Sequence, residues 1–186
     1  MIRTHGPCPI GTGRRTRSHF ETLARSIVFQ QLAGRAAETI WGRARALVDG
    51  PFTAAAVLDT GEERLRSAGL SGSKAKAVLD LADRVAMGDV RLASIARRGD
   101  DEVVAELIRV WGIGRWTAEM FLIFQLGRLD VWPTGDLAVR AGYGRIHGLP
   151  EAPGPGELEA LGDRFRPWRS VVAWYCWRAL DTVVAG

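Results

Sequence analysis

Apolar residues along this chain recur mostly three and four positions apart, which is the spacing of amphipathic helices, and strand-like alternation is nearly absent. The clearest stripe begins after Ser18, which stands three positions before Glu21 as in an N-terminal capping box. The members of this stripe share one helical face and are Phe20, Leu23, Ala24, Ile27 and the polar Gln31. The pattern predicts a helix that begins at residue 18 and carries Gln31 at the end of its apolar face.

The same periodicity predicts about ten helices, joined by turns rich in glycine and proline. After the first helix they cover residues 34–48, 53–59, 61–68, 72–88, 89–98, 101–111, 115–127, 137–148, 157–165 and 167–182. Segment 115–127 is apolar nearly all round, which is typical of a buried central helix. Residues 1–17 are rich in Gly, Pro and Arg and are expected to form an irregular arm. The expected fold class is therefore all-α.

Composition narrows the range of functions. The chain has 186 residues, a formal net charge of +4 and a sequence pI of about 9.7, which suits a polyanionic partner. A GC-rich genome, which favours arginine codons, would explain the basic balance equally well. Cys8 and Cys176 lie far apart, which argues against zinc and against a four-cysteine iron–sulfur cluster. The chain has no apolar run long enough for a membrane span and no signal-peptide core, so we expect a cytoplasmic protein.

Two glycines one residue apart interrupt the stretch "VWGIGRWTAEM" at 110–120, where one predicted helix gives way to the next. Glycine inside a helix costs up to about 1 kcal/mol relative to alanine, so Gly112 and Gly114 indicate a turn, which Ile113 would anchor in the core. Such a turn can aim amide N–H groups and the start of a helix at a phosphate. From spacing alone, a tight helix–helix corner that binds nothing stays an alternative.

The stretches "VWGIGRWTAEMFLIF" and "DVWPTGDLAVRAG" resemble the helix–hairpin–helix (HhH-GPD) DNA glycosylase superfamily. Within it, "FETLARSIVFQQLAGRAAETIWGR", "AGLSGSKAKAVLDLA" and "PWRSVVAWYCWRAL" resemble the 3-methyladenine DNA glycosylase II group in the right order. The resemblance implies a compact, two-lobed helical domain over 18–186, with the active-site cleft between the lobes and without the N-terminal β-domain of larger members. It implies a hairpin at 107–120 and a Gly/Pro–Asp loop at 130–137.

Cleavage of an N-glycosidic bond develops positive charge on the sugar, and a fixed carboxylate beside the sugar stabilises that charge and helps to activate water. The resemblance implies that Asp136 is this catalytic residue. An aspartate that begins a helix can also be a plain N-cap, and the two roles are compatible because a helix N-terminus favours negative charge. Gly135 stands where the family more often has another aspartate. Asp130 does not match the catalytic position, so its replacement by Asn is expected to do little to base excision.

Relatives that also cut the DNA strand use a lysine two residues beyond the second hairpin glycine as an imine-forming nucleophile. Trp116 occupies that place in this chain. Lys74 and Lys76 are the only lysines, and neither lies in a matching stretch. The resemblance therefore implies a monofunctional enzyme that hydrolyses the bond with water and needs no cofactor.

A glycosylase takes its base out of the stack and holds it in a pocket, where aromatic walls suit an electron-poor alkylated purine. The resemblance assigns this pocket to Trp116 and Trp177, for which core packing is the alternative, and to Met120, which replaces a third aromatic residue of one relative. It implies that a segment made of Gln30, Gln31 and Leu32 inserts into the gap that the flipped base leaves. Which of the three is the wedge stays open, and a polar residue that ends an apolar stripe can instead satisfy a buried backbone group.

The resemblance also implies which residues bind DNA at the hairpin. These are Gly112, Ile113, Gly114, Arg115 and Thr117. Relatives hold a monovalent cation through hairpin carbonyls, for which the candidates here are Ile108, Val110 and Ile113. No other metal site is expected.

The leading hypothesis is a monofunctional DNA glycosylase that excises alkylated bases of the 3-methyladenine and 7-methylguanine type from double-stranded DNA in base excision repair. We expect a monomer, associated with the nucleoid if the source is bacterial. One alternative is a non-catalytic DNA-binding module, against which Asp136 and the tryptophans argue because a backbone binder needs neither. Another is a glycosylase/lyase for other damaged bases, which Trp116 disfavours. The choice among 3-methyladenine, 7-methylguanine, ethenoadenine and hypoxanthine stays open.

Overall fold

The structure is a computed structural model that describes residues 2–13 and 16–180. All regular secondary structure in these ranges is helical, which confirms the expected all-α class. The ten α-helices found there are α1 (Ile2–His5), α2 (His19–Phe29), α3 (Gly34–Ala46), α4 (Ala54–Ser67), α5 (Gly72–Ala86), α6 (Asp100–Leu107), α7 (Arg115–Met120), α8 (Leu137–His147), α9 (Pro155–Gly162) and α10 (Arg169–Ala179). None of these described helices combines the length and the apolarity that a membrane span requires.

The chain divides into two compact units, in agreement with the two lobes that the family resemblance implies. The first, named here the hairpin unit, is Arg15–Ala118. The second, named the aspartate unit, consists of Met1–Arg14 and Glu119–Gly186. Each unit has its own buried apolar side chains, which include Leu23, Ile27, Leu81 and Leu107 in the hairpin unit and Leu122, Val139, Leu158 and Trp177 in the aspartate unit.

Several helix ends lie where local side-chain signals predict them. The hydroxyl of Ser18 accepts the Glu21 backbone N–H at 3.1 Å and caps α2. Thr53 and Ser71 cap α4 and α5 in the same way. The α4 helix is interrupted at Gly61, which has a φ of +75°, so the predicted separation of helices 53–59 and 61–68 is confirmed.

The helix predicted over 89–98 is wrong for most of its length. Only Ile95–Arg97 is helical, as one 3₁₀ turn. The largely buried carboxylate of Glu106 in α6 accepts a hydrogen bond from the Arg91 backbone N–H. The same carboxylate forms an ion pair with Arg98. These two bonds hold both ends of the segment to α6, so a tertiary contact overrides the local helical pattern.

The arm predicted to be irregular over 1–17 begins with the short helix α1. Further along, Ile10 is buried, and the Tyr175 hydroxyl in α10 donates a hydrogen bond to the Gly6 carbonyl at 2.9 Å. The described part of the arm therefore packs onto the aspartate unit. The sequence did not indicate this packing, because two isolated contacts produce no periodic pattern of apolar residues.

The expected central helix over 115–127 changes its winding partway. After α7 ends at Met120, the chain continues as a π-helical turn over Phe121–Gln125. The Leu126 N–H closes this turn on the Phe121 carbonyl at 3.0 Å. The expected burial is confirmed, since Phe121, Leu122 and Ile123 are almost inaccessible to solvent. Single π-turns inside helices often accompany functional sites.

Helix α8 crosses α10 at Gly142, where a side chain has no room. A β-carbon at this position would fall on the backbone carbonyl group of Cys176 in α10. Both helices carry candidate site residues, since Asp136 immediately precedes α8 and Trp177 lies within α10. The glycine therefore sets the distance between the two elements that form the site.

Replacement of Gly142 by alanine is expected to lower the free energy of unfolding by about 2 kcal/mol or more, because the two backbones must separate to admit the methyl group. The matched control is Gly42→Ala inside α3, where a β-carbon would meet no atom within 4 Å. That variant should gain up to about 1 kcal/mol from helix propensity. Denaturant unfolding of both variants provides the measurement. A Gly142→Ala protein as stable as Gly42→Ala would contradict the close crossing.

Candidate functional site

Asp136 lies where the Gly/Pro loop enters α8, and it is the N-cap of that helix. The residue is 7% exposed. Its Oδ1 atom accepts hydrogen bonds from the Val139 backbone N–H at 2.9 Å and from the Trp177 indole N–H at 3.3 Å. Both donors and the start of the helix favour a negative charge at this place. The N-cap role expected from the sequence is confirmed, and the carboxylate is held in one orientation.

Trp177 holds this carboxylate from α10. It is 1% exposed, and its ring lies against Phe124 with the centroids 5.7 Å apart and the planes tilted by 34°. The neighbouring Cys176 is fully buried. Burial, together with the negative charge of Asp136, raises the pKa of the Cys176 thiol to about 12. The thiol therefore stays neutral at physiological pH and supplies neither a nucleophile nor a metal ligand.

The loop that leads to Asp136 is fastened to the start of α10 by Ser170. The backbone N–H of this fully buried serine donates to the Leu129 carbonyl at 2.9 Å. Its hydroxyl accepts the Val131 N–H at 2.9 Å and donates to the Val131 carbonyl at 3.2 Å. The serine hydroxyl thus pairs both the backbone N–H and the carbonyl of the buried Val131. Each of these groups would cost about 1–3 kcal/mol if it were left without a hydrogen bond.

Asp130 has a structural role that the motif did not indicate. Arg169 donates from Nε and Nη2 to its two carboxylate oxygens at 2.7 and 3.0 Å, and Arg166 adds a bond at 3.1 Å. Burial acts to raise the pKa of Asp130, but the hydrogen bonds and charge of Arg169 outweigh it, and the net pKa is lowered. These ion pairs fix the loop, and the expectation that Asp130→Asn does little to base excision stays a prediction.

The glycine turn belongs to the hairpin unit, and the surroundings of its two glycines differ. Gly112 has a φ of +85°, and a β-carbon there would lie 2.9 Å from that of Ala77. Gly114 lies outside the left-handed region, and a β-carbon there would meet no protein atom within 4 Å. Ile113 is buried and anchors the turn, as expected. The fold therefore requires Gly112, whereas Gly114 leaves the surface open in front of α7.

Gln30 joins the end of α2 to this turn. Its side-chain amide donates to the Gly112 carbonyl at 2.9 Å and lies 3.4 Å from the Thr117 hydroxyl. Thr117 is itself buried in the first turn of α7. Two segments that the resemblance assigns to DNA binding are thus in direct contact within one unit.

The prediction that Gln31 ends a buried helical face is wrong. Helix α2 ends at Phe29, so the chain leaves the helix before it reaches Gln31. Gln31 is exposed and has a φ of +57°, which is uncommon for a residue with a side chain. Leu32 follows and is 37% exposed. It is Gln30 that satisfies a backbone carbonyl.

The residues expected to line the base pocket have different environments. Trp177 and Met120 are buried members of the aspartate unit. Trp116, the second residue of α7, belongs to the hairpin unit and is 47% exposed, next to the exposed Arg115. Trp177 donates a hydrogen bond to Asp136. The base-binding roles of the three residues stay predictions.

The expected cation site at the carbonyls of Ile108, Val110 and Ile113 also stays a prediction. The Val110 carbonyl accepts the Ile113 N–H at 3.1 Å, and its second lone pair is compatible with a cation. Within the two described ranges, no group of three or more His, Cys, Asp or Glu side chains is arranged to hold a metal ion.

Sequence reasoning missed three side chains that shape these sites, namely Arg169, Ser170 and Lys74. Arg169 and Ser170 act across 39 residues of chain. The Lys74 ammonium donates to the carbonyls of Val28 and Gln30, both at 2.6 Å. The one available signal was that Lys74 lies in the first turn of a helix, where a cation is disfavoured.

A family model and two known proteins match this chain over most of its length. The family model of the "HhH-GPD superfamily base excision DNA repair protein" matches residues 24–167. DNA-3-methyladenine glycosylase 1 of Schizosaccharomyces pombe is 35% identical over 162 residues, which are 86% of this chain and 71% of the relative. The alkylbase DNA glycosidase-like protein mag2 of the same organism is 28% identical over 96% of this chain and 85% of its own length.

Solved structures resemble this fold over most of its length. A 3-methyladenine DNA glycosylase of S. pombe in complex with abasic DNA has a TM-score of 0.79 and 30% identity, covering 94% of this chain and 87% of that one. A DNA-3-methyladenine glycosidase from Bacillus halodurans has a TM-score of 0.83 and 34% identity, covering 90% and 77%.

The lowered pKa of Asp130 leads to a prediction on stability. An aspartate with a lowered pKa in the folded state stabilises the protein fully above its unfolded pKa of about 3.9, and this contribution is lost as the pH falls through the folded value. Asp130→Asn should therefore lower the free energy of unfolding by about 1–2 kcal/mol at pH 7, and the deficit should shrink below about pH 4.

Denaturant unfolding between pH 7 and pH 3 measures this deficit. Asp163→Asn is the matched control, because Asp163 also bonds Arg166 at 3.1 Å but its side chain is 69% exposed. An exposed pair of this kind contributes little to stability. A deficit for Asp130→Asn that did not change with pH would mean that the ion pair is not its source.

Proposed function

We propose that this chain, which belongs to the HhH-GPD superfamily of base excision DNA repair proteins, is a monofunctional DNA glycosylase that removes alkylated bases from double-stranded DNA. The observation that carries the proposal is the carboxylate of Asp136, buried at the start of α8 and held by two N–H donors. The relatives named as 3-methyladenine glycosylases support alkylated bases as the substrate class.

Asp136 would act on the sugar rather than on the base. As the bond between base and sugar breaks, the sugar gains positive charge, which a fixed carboxylate stabilises more than a mobile one because no reorganisation is needed. The same carboxylate can orient a water molecule and accept its proton. The Val139 and Trp177 bonds to one oxygen supply the fixed orientation that both roles require.

The proposed enzyme hydrolyses the bond with water and does not cleave the strand. An imine-forming enzyme needs an accessible amine, and the relatives that cut the strand use a lysine at the place that Trp116 occupies in this chain. Lys74 is engaged by two carbonyls at 2.6 Å. The remaining lysine, Lys76, lies over the ring of Trp111 with its Nζ atom 5.1 Å from the centroid. The group II assignment rests on the resemblance of the stretches before and after the hairpin to that group.

DNA would be bound through the hairpin of the hairpin unit. The open surface at Gly114 allows a phosphate to approach the amide groups at the start of α7, and Arg115 adds a nearby positive charge. The segment 30–32, with the half-exposed Leu32, would fill the gap left by the flipped base. Contacts of this kind give affinity without sequence preference.

The alkylated base would lie against Trp116 and Trp177, with Met120 in place of a third aromatic residue. A cationic base such as 7-methylguanine gains more from an aromatic face than a neutral base does. A non-catalytic DNA-binding module is disfavoured, because it has no use for a buried aspartate fixed by an indole. The protein is proposed to act as a monomer in the cytoplasm.

Asp136→Asn is the variant that tests the proposed mechanism. Asparagine is as good an N-cap as aspartate, and its oxygen can still accept the Val139 and Trp177 bonds, so the fold and the affinity for abasic DNA should survive. The charge beside the developing sugar cation is lost, so single-turnover excision of 3-methyladenine should fall about 100-fold or more.

The matched control is Asp163→Asn, the same chemical change at an exposed aspartate of the same unit. Its excision rate should equal that of the wild type. An Asp136→Asn protein that excised at the wild-type rate would place the catalytic group elsewhere.

The proposed lack of lyase activity has its own test. With borohydride present during turnover, no covalent protein–DNA adduct should form, and the DNA strand should stay intact at the abasic site. Denaturing gels of the DNA and mass spectrometry of the protein provide the measurement. An adduct mapped to either lysine or to the N-terminus would make the enzyme bifunctional.

A further inference from the structure

We propose that Lys74 and Gln30 are positioning residues that fix the segment 30–32 onto the glycine hairpin, so that these two DNA-binding elements act as one rigid body. The inference rests on the proposed function, since it concerns how that function's DNA contacts are held. It goes further because Lys74 is in none of the segments to which DNA binding is assigned.

Lys74 closes the end of α2. The last carbonyls of a helix have no partner within it and carry a partial negative charge, so a cation is favourable there. The Lys74 ammonium donates to two carbonyls of this region, those of Val28 and Gln30, at 2.6 Å each. Burial lowers its pKa, which agrees with an ammonium group removed from water.

The position of Lys74 in its own helix does not explain its presence. It lies in the first turn of α5, where Ser71 caps the helix by accepting the Lys74 N–H at 3.3 Å. A cation in the first turn opposes the helix dipole. The residue is therefore explained by what it does for α2, whose C-terminal end it secures to α5.

Gln30 extends this fixation to the hairpin. Its backbone carbonyl accepts from Lys74, while its side-chain amide donates to the Gly112 carbonyl at 2.9 Å and lies 3.4 Å from the Thr117 hydroxyl. Lysine, glutamine and hairpin thus form one continuous path within the hairpin unit. The strained backbone of Gln31, with a φ of +57°, directly follows this path and leads to the exposed Leu32.

A rigid connection matters because the two elements have linked tasks on DNA. The hairpin fixes the phosphate backbone, and the segment 30–32 must then enter the stack at a set distance from it. If the segment could move, each flipping event would have to order it again, and misplacement of about 1 Å can cost up to 100-fold in rate. Backbone affinity, which depends on phosphate contacts, would change little.

The chain offers a matched pair of variants because Lys74 and Lys76 are its only lysines. Lys74→Met and Lys76→Met remove the same charge two residues apart on the same helix. The first breaks the bonds to α2, and the second breaks only the stacking on Trp111. Gln30→Leu serves as a third variant, which removes the side-chain donor but keeps the carbonyl that Lys74 binds.

Three readouts are measured well below the melting transition. Hydrogen exchange should speed up at residues 28–32 and 112–117 in Lys74→Met and stay unchanged there in Lys76→Met. Base flipping, followed by 2-aminopurine fluorescence in duplex DNA, and single-turnover excision should both fall about tenfold or more in Lys74→Met. Affinity for undamaged DNA should fall no more than in Lys76→Met. The double variant Lys74→Met/Gln30→Leu should be no slower than the slower single variant, because both act on one path.

The outcomes separate this inference from the proposed function. If the wild-type chain releases no base, the proposed function fails, and hydrogen exchange alone still tests the coupling. If the wild type is active and Lys74→Met flips and excises as fast as Lys76→Met, the positioning role is overturned. Should Lys74→Met fail to fold, Gln30→Leu decides, since wild-type flipping by that variant would contradict the coupling.

Discussion

The carboxylate of Asp136 is fixed at the first turn of α8 by two N–H groups that reach the same oxygen, one from the helix backbone and one from Trp177 in α10. This arrangement requires α8 and α10 to lie unusually close, and Gly142 permits that approach at Cys176. The buried thiol there is held neutral by the same surroundings. The carboxylate is thus both buried and held in one orientation.

Tertiary contacts, more than helix propensity, hold both candidate sites. In the aspartate unit, Ser170 and Arg169 at the start of α10 hold the first part of the loop before Asp136. Trp177 holds Asp136 at its other end, so both ends of the loop depend on one helix. In the hairpin unit, Lys74 and Gln30 connect the end of α2 with the glycine turn. In each case a side chain pairs backbone groups that the chain's own regular structure leaves unpaired. The candidate residues thereby lie on loops that tertiary bonds hold in place without helical structure.

The sequence predicted the helical class, most helix positions and the family, because periodicity, caps and glycine turns are local signals. Asp136 became the catalytic candidate because the stretch that contains it resembles the Gly/Pro–Asp loop of the family, and that role stays a prediction. The failures have a common cause in contacts between distant residues. Glu106 overrides the helical pattern of 89–98, and α2 ends at Phe29, which moves Gln31 off the helix. The ion pair of Asp130 with Arg169 and the bonds of Lys74 join residues 39 or more positions apart, and no spacing within one segment encodes them.

The central claim is that this chain excises bases from alkylated DNA by hydrolysis with water. The most direct measurement is to incubate the protein with methylated genomic DNA and to identify the released bases by chromatography and mass spectrometry. The account predicts that free 3-methyladenine and 7-methylguanine accumulate while the DNA keeps intact abasic sites. DNA that is bound but releases no base would contradict the account and leave a DNA-binding module in its place.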